Sequence, residues 1–178
     1  VFYAKDKKIL FLSDKSGSKQ IWSMNLNGGK AKQISNHHTH ITAFKLSPDE
    51  KKILFISSVE NPLVQDEKYE DLPLSTGITT EDLMYRHWDK WKTQIPHPYI
   101  ADFNKQTLEN ITDILENEPY ESPLLPFGGI EQLNWHPNSK EIAYTCKKKT
   151  GKEYSLSTNS DIYIYQINFS LSHFHSEF

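Results

Sequence analysis

A short apolar segment returns three times along this chain, and the spacing of its copies limits the fold more than any other feature. Lys7-Lys8-Ile9-Leu10-Phe11-Leu12-Ser13 recurs as Lys51-Lys52-Ile53-Leu54-Phe55-Ile56-Ser57 and, more loosely, as Lys140-Glu141-Ile142-Ala143-Tyr144-Thr145. Ile9 and Ile53 lie 44 residues apart, and Ile142 follows Ile53 by 89, about twice that interval. A period of roughly 40–45 strand-like residues is the size of one four-stranded propeller blade. A segment that returns once per blade is scaffold, so chemistry must be sought where the repeat is interrupted.

Each copy is the second arm of a hairpin. Ala43-Phe44-Lys45-Leu46 leads through Ser47-Pro48-Asp49-Glu50 into the second copy, and Leu133-Asn134-Trp135 leads through His136-Pro137-Asn138-Ser139 into the third. Proline presets φ for such a turn, and Asp or Asn can bond the neighbouring backbone there. In the first unit a polar turn, Asp14 to Ser18, precedes the strand Gln20 to Leu26. Asn27-Gly28-Gly29 then supplies the positive φ of a tight hairpin before Lys32-Gln33-Ile34-Ser35. The same half returns as Pro98 to Phe103 with Leu108 to Thr112, and begins again at Asp161 to Ile167. β-Branched and aromatic residues dominate these runs, as half-buried strands prefer. The pattern resembles the propeller repeat of TolB-like and prolyl oligopeptidase-type proteins.

The expected fold is therefore all-β: a partial β-propeller of four-stranded antiparallel blades, with a short helical insertion in the second unit. The units fall at about 1–36, 41–113 and 130–168 in one domain, followed by an irregular tail at 169–178. Three units cannot close a ring of about 4–8 blades, and their open edges give a route to pairing with another copy. A formal net charge of −3 with both signs interspersed gives no electrostatic reason to expect nucleic acid. No run of about 18 apolar residues is present to span a membrane as a helix. The lone cysteine, Cys146, sits on an expected strand and reads as a buried structural thiol.

The repeat breaks in the second unit. Ile9 and Ile34 are 25 residues apart, whereas Ile53 and Ile111 are 58 apart, so 33 additional residues lie within about 58–94. Thr79-Thr80-Glu81-Asp82 reads as a helix N-cap with acids in the first turn. Leu83 to Trp91 suffices for two or three helical turns, with the Trp end able to become strand before Pro96. Tyr85, Arg86, His87, Trp88 and Trp91 make this segment dense in groups that bind. Such residues commonly sit on loops over a rigid frame, although Tyr85, Trp88 and Trp91 would equally serve to cover the blade edge.

Leu83-Met84-Tyr85-Arg86-His87-Trp88-Asp89-Lys90-Trp91, followed by His97-Pro98-Tyr99-Ile100-Ala101-Asp102, resembles the propeller of bacterial dipeptidyl peptidases within the prolyl oligopeptidase family. Asp113-Ile114-Leu115, Glu121-Ser122-Pro123, Phe127-Gly128-Gly129 and Trp135-His136-Pro137 fit the same group. The resemblance implies a propeller capping a C-terminal α/β-hydrolase domain, gating the entry of short peptides and holding the substrate's free α-amine. It also implies export to the periplasm or beyond. A carboxylate on a blade insertion is the usual amine anchor of such enzymes, because a desolvated ammonium needs a paired anion. Glu81 and Asp82 match that role, and Arg86, His87 and Trp88 would contact the peptide, with Tyr85 beside them.

The hydrolase half would carry a G-x-S-x-G nucleophile elbow. None of the seven glycines brackets a serine in that spacing, so these residues should not hydrolyse peptides unaided. A TolB-like interaction scaffold and a peptide- or sugar-binding propeller are the alternative readings. The inserted segment weighs against a uniform scaffold. No cofactor is expected. His37-His38-Thr39-His40 invites a metal reading, but adjacent loop histidines without a nearby cysteine or carboxylate are usually solvated. The Lys147 to Lys152 run reads as a solvated hairpin turn.

Overall fold

The computed structural model describes residues 2–4, 7–65, 74, 76, 79–80, 86–87 and 89–167. Strands β1 (Phe2–Ala4), β2 (Lys8–Ser13), β3 (Gln20–Asn25) and β4 (Lys32–Gln33) form a first antiparallel sheet in sequential order. Next come β5 (Ala43–Leu46) and β6 (Lys52–Glu60). After β6 the chain makes two short pairs: β7 (Val64–Gln65) with β8 (Thr79–Thr80), and β9 (Arg86–His87) with β10 (Lys90–Trp91). It then returns as β11 (Gln94–Phe103) and β12 (Leu108–Asp113), which complete a second sheet in the order β12-β11-β6-β5. A third sheet holds β13 (Leu133–Trp135), β14 (Glu141–Cys146) and β15 (Asp161–Gln166), with helix α1 (Gly151–Leu156) between the last two. The protein is thus nearly all-β with antiparallel sheets, compatible with the expected partial propeller.

Side chains alternate faces along a strand, and this places the repeated segment in two cores at once. Ile53 and Phe55 of β6 join Leu10, Ile21 and Ile34 of the first sheet region. Leu54 and Ile56 join Leu133, Ile142, Tyr144 and Cys146 of the third. A strand buried on both faces has no polar side to alternate with, so β6 reads as an unbroken apolar run. In β14 only Ile142, Tyr144 and Cys146 are fully buried, and the pattern there alternates. The repeat is uniform in sequence, but only its middle copy is a middle layer.

The turns use the expected chemistry. Ser47 O accepts from Glu50 N at 2.9 Å, and Asp49 Oδ1 accepts from Lys51 N at 3.1 Å. In the third unit His136 O accepts from Ser139 N at 2.9 Å, and Asn138 Oδ1 from Lys140 N at 2.8 Å. The two turns also touch, since Asp49 N donates to Ser139 Oγ at 3.1 Å.

Thr79–Thr80 is a strand rather than the expected helix cap. The Trp end of the inserted segment is strand, as its sequence allowed: a hairpin in which Arg86 pairs with Trp91 and His87 with Lys90. Pro96, just beyond, disfavours helical backbone before it, and the β6–β11 ladder holds the stem extended as far as the Glu60–Gln94 pair. Residues 81–85 lie outside the described residues, as does the tail 169–178. The α-helix among the described residues follows the Lys147 to Thr150 stretch instead, where a plain hairpin turn was expected.

Cys146 is wholly buried, and burial raises its thiol pKa to about 11. A buried protonated thiol is inert. Ellman's reagent should therefore modify it only as the protein unfolds, with labelling following the denaturation curve; rapid labelling in native buffer would contradict its burial.

Candidate functional site

Strands reverse direction at each step of an antiparallel sheet. The end of β6, the start of β11 and the end of β12 therefore share one end of the second sheet, and the end of β14 and the start of β15 share one end of the third. The connector after β12 ties these ends together: Ser122 N donates to Pro96 O at 3.0 Å, and Ser122 Oγ donates to Thr145 O at 2.9 Å. The inserted segment and α1 consequently emerge side by side.

Between them lies a buried polar cluster. Lys92, just beyond β10, is 8% exposed and Glu121 of the connector 1%, with Lys92 Nζ 3.1 Å from Glu121 Oε2. Tyr154 of α1 donates its hydroxyl to Glu121 Oε1, and Lys92 Nζ sits 4.5 Å from the Tyr154 ring centroid. A carboxylate this deeply buried needs a paired cation and donors; Lys92 is the cation and the Tyr154 hydroxyl a donor. Burial and the neighbouring Glu121 carboxylate push the Tyr154 phenol well above its ordinary range. Lys147 closes the other side, with Nζ 3.9 Å from the same ring centroid while donating to Tyr154 O at 2.6 Å and to Ser157 O. Lys148 pairs with Glu118 at 2.6 Å. The lysine run expected to be solvated is thus tied to α1 and the connector. A small recess beside the cluster is lined by Asn61, Leu63, Tyr120, Lys149 and Thr150.

A second polar pair lies deeper in β11. His97 Nδ1 is 2.8 Å from Asp113 Oδ2, and Asp113 Oδ1 accepts from Leu115 N at 2.9 Å. Burial and the Asp113 carboxylate raise the Tyr99 phenol. His37, expected in a solvated loop, is 8% exposed, with its ring 5.2 Å from Phe55, 4.8 Å from Tyr99 and 4.3 Å from His38. Desolvation, reinforced by His38, lowers its pKa to about 4. Its apolar neighbours make it a packing residue. Among the described residues no three histidine, cysteine, aspartate or glutamate side chains converge as metal ligands.

Of the six residues singled out in the inserted segment, Glu81, Asp82, Tyr85 and Trp88 lie outside the described residues. Arg86 and His87 are placed by their backbone in β9, opposite the half-exposed Trp91 and the exposed Lys90. The sequence reading missed Lys92, Glu121 and Tyr154 as a group. They come from three separate stretches and share no spacing; the one local signal was Glu121 standing between Tyr120 and Ser122-Pro123 in an otherwise irregular connector.

Layered antiparallel sheets sharing a repeated hairpin, with insertions gathered at one end, define an all-β repeat scaffold. No family model matches the chain. It is 46% identical to dipeptidyl-peptidase 5 of Porphyromonas gingivalis over 174 residues, covering 98% of the chain and 25% of that protein. It is 35% identical to dipeptidyl-peptidase 5 of Porphyromonas endodontalis over 161 residues, covering 90% of the chain and 23% of that protein. A protein of the same name from Schizosaccharomyces pombe is 26% identical over 167 residues. The chain is therefore a homologue of the dipeptidyl-peptidase 5 proteins, and it spans about a quarter of the length of the relatives it matches. Among the described residues no helix is long and apolar enough to cross a membrane.

Proposed function

We propose that these residues are part of a β-propeller that gates substrate entry and recognises the substrate amine in an exported serine dipeptidyl peptidase. The catalytic serine, aspartate and histidine would lie on an α/β-hydrolase domain outside the 178 residues. The observation that carries this reading is similarity along nearly the whole chain to about a quarter of proteins named dipeptidyl-peptidase 5, together with the absence of a nucleophile elbow from the sequence. The inserted segment supports it further, because it leaves the scaffold at the end where α1 also emerges.

In this reading Glu81 or Asp82 pairs with the free α-amine of a short peptide. Tyr85, Arg86, His87 and Trp88 contact its backbone and first side chain. Location in the periplasm or outside the cell follows from the same family likeness. The outward face of β15 carries Ile162 and Ile164, 74% and 58% exposed, which suits cover by a further unit of the propeller or by a second copy.

The test is kinetic and uses the intact protein with any flanking sequence. Chromogenic dipeptidyl substrates with free and with acetylated N-termini are compared in the parent, Glu81→Gln and Asp82→Asn proteins. One of the two variants is expected to lose about 10–100-fold in kcat/KM for the free amine, the range for a hydrogen bond to a charged group, and nothing for the acetylated substrate. Unchanged discrimination in both variants would remove these carboxylates from the amine site.

A further inference from the structure

We propose that Lys92, Glu121 and Tyr154 form a clasp that sets the position of the β9–β10 hairpin against the third sheet, making them positioning residues for what the inserted segment binds. The binding half of this statement rests on the reading above.

The need for a clasp follows from the strands. The β6–β11 ladder ends at the Glu60–Gln94 pair. Beyond it the β9–β10 hairpin pairs over two residues on each side, and Lys92, the next residue, is no longer strand. Ribbons that short do not hold themselves in place, since even a full isolated hairpin is marginal in water. Their orientation must be imposed from the stem.

Lys92 directly follows β10, so a tether on it acts on the hairpin that carries Arg86 and His87. Its backbone is held from one side, where Asn61 Nδ2 donates to Lys92 O at 2.8 Å and Asn61 N to Thr93 O at 2.8 Å. Its side chain is held from the other, by Glu121 of the connector and the Tyr154 ring of α1. The contacts therefore cross from the second sheet to the third. A buried ion pair with a hydrogen-bonded hydroxyl fixes geometry more than it adds stability.

The same contacts argue against Glu121 as the amine anchor itself. Oε2 faces Lys92 and Oε1 accepts from Tyr154. A ligand ammonium would have to displace Lys92 and leave that cation buried without its partner.

The experiment combines hydrogen exchange and steady-state kinetics on the intact protein. Tyr154→Phe and Lys92→Met are expected to speed amide exchange in residues 79–91 at least 10-fold while β6 is unaffected, and to raise KM for a free-amine dipeptidyl substrate with kcat within twofold. A Lys92→Met, Glu121→Leu pair, which leaves no lone buried charge, should regain most of the parent's Tm while KM stays high. Unchanged exchange in 79–91, an equal rise in β6, or recovery of KM in the pair would overturn the clasp. Faster exchange in 79–91 with an unchanged KM would support the clasp and instead sink the reading of the inserted segment as a substrate site. Should Lys92→Met fail to fold, Tyr154→Phe, which deletes one hydroxyl, carries the same comparison.

Discussion

Replacing Phe55 with alanine is expected to cost about 3–5 kcal/mol, the range for truncating a buried aromatic. Phe55 is wholly buried in the central strand of the second sheet. Its ring stacks on Tyr99 at 5.2 Å and meets the His37 ring edge-on at 5.2 Å. Those aromatic pairings add roughly 0.5–1.5 kcal/mol each beyond area burial. A domain's whole stability is about 5–15 kcal/mol, so this one change approaches the limit of what the fold tolerates. Ile164→Ala is the matched control: its side chain is 58% exposed on β15, and the expected change is within about 0.5 kcal/mol. Urea unfolding followed by circular dichroism compares the two directly. Equal midpoints would mean that the first core is not organised around Phe55.

The second large effect is acid lability in a window set by His37. Its folded-state pKa is about 4, against 6.5 for the ordinary side chain. The native state therefore resists a proton that the unfolded chain accepts. Stability from this group is complete above pH 6.5, declines as the pH falls, and is exhausted near pH 4. The full shift corresponds to roughly 3 kcal/mol. His38 beside it adds repulsion to the protonated form, while Asp113 offsets part of it. Asp49 and Asp102, whose pKa values are lowered by hydrogen bonds and by Lys51 and Lys52 respectively, lose their contributions only below the usual carboxylate range. The two classes thus separate along the pH axis. His37→Phe keeps a ring against Phe55 and Tyr99 but removes the titration, so its unfolding midpoint should be nearly flat between pH 6.5 and 4. A parent and variant with the same slope in that interval would show that His37 does not govern it.

What could be read from the sequence was whatever repeats or alternates. The three hairpins announced themselves through Pro48 and Pro137 and the apolar runs that follow, and the inserted segment through its effect on their spacing. Cys146 was legible because its strand alternates. The period was silent where tertiary context decides. His37 looks like any loop histidine until the loop is seen to fold onto Phe55 and Tyr99. Lys92, Glu121 and Tyr154 carry charge or hydroxyls in polar stretches, and their burial depends on partners roughly 30 residues away in either direction. The helix expected from Thr79 rested on a local cap signal, which strand pairing overrode at Thr79–Thr80, whereas the strand allowed at the Trp end is present.

The two cores have no residue in common, and what links them is the second sheet, whose strands send alternate side chains to each. Mechanically this is a nearest-neighbour chain of three bodies and two couplings rather than one cooperative drop of oil. Damage introduced on one side must pass through the backbone of β6 and β11 before the other side registers it. The outer layers can loosen one at a time, and the middle layer, clamped from both directions, is the last to let go. The inserted segment is rooted in that layer, so the longest interruption of the repeat grows from the sheet that both cores hold in place.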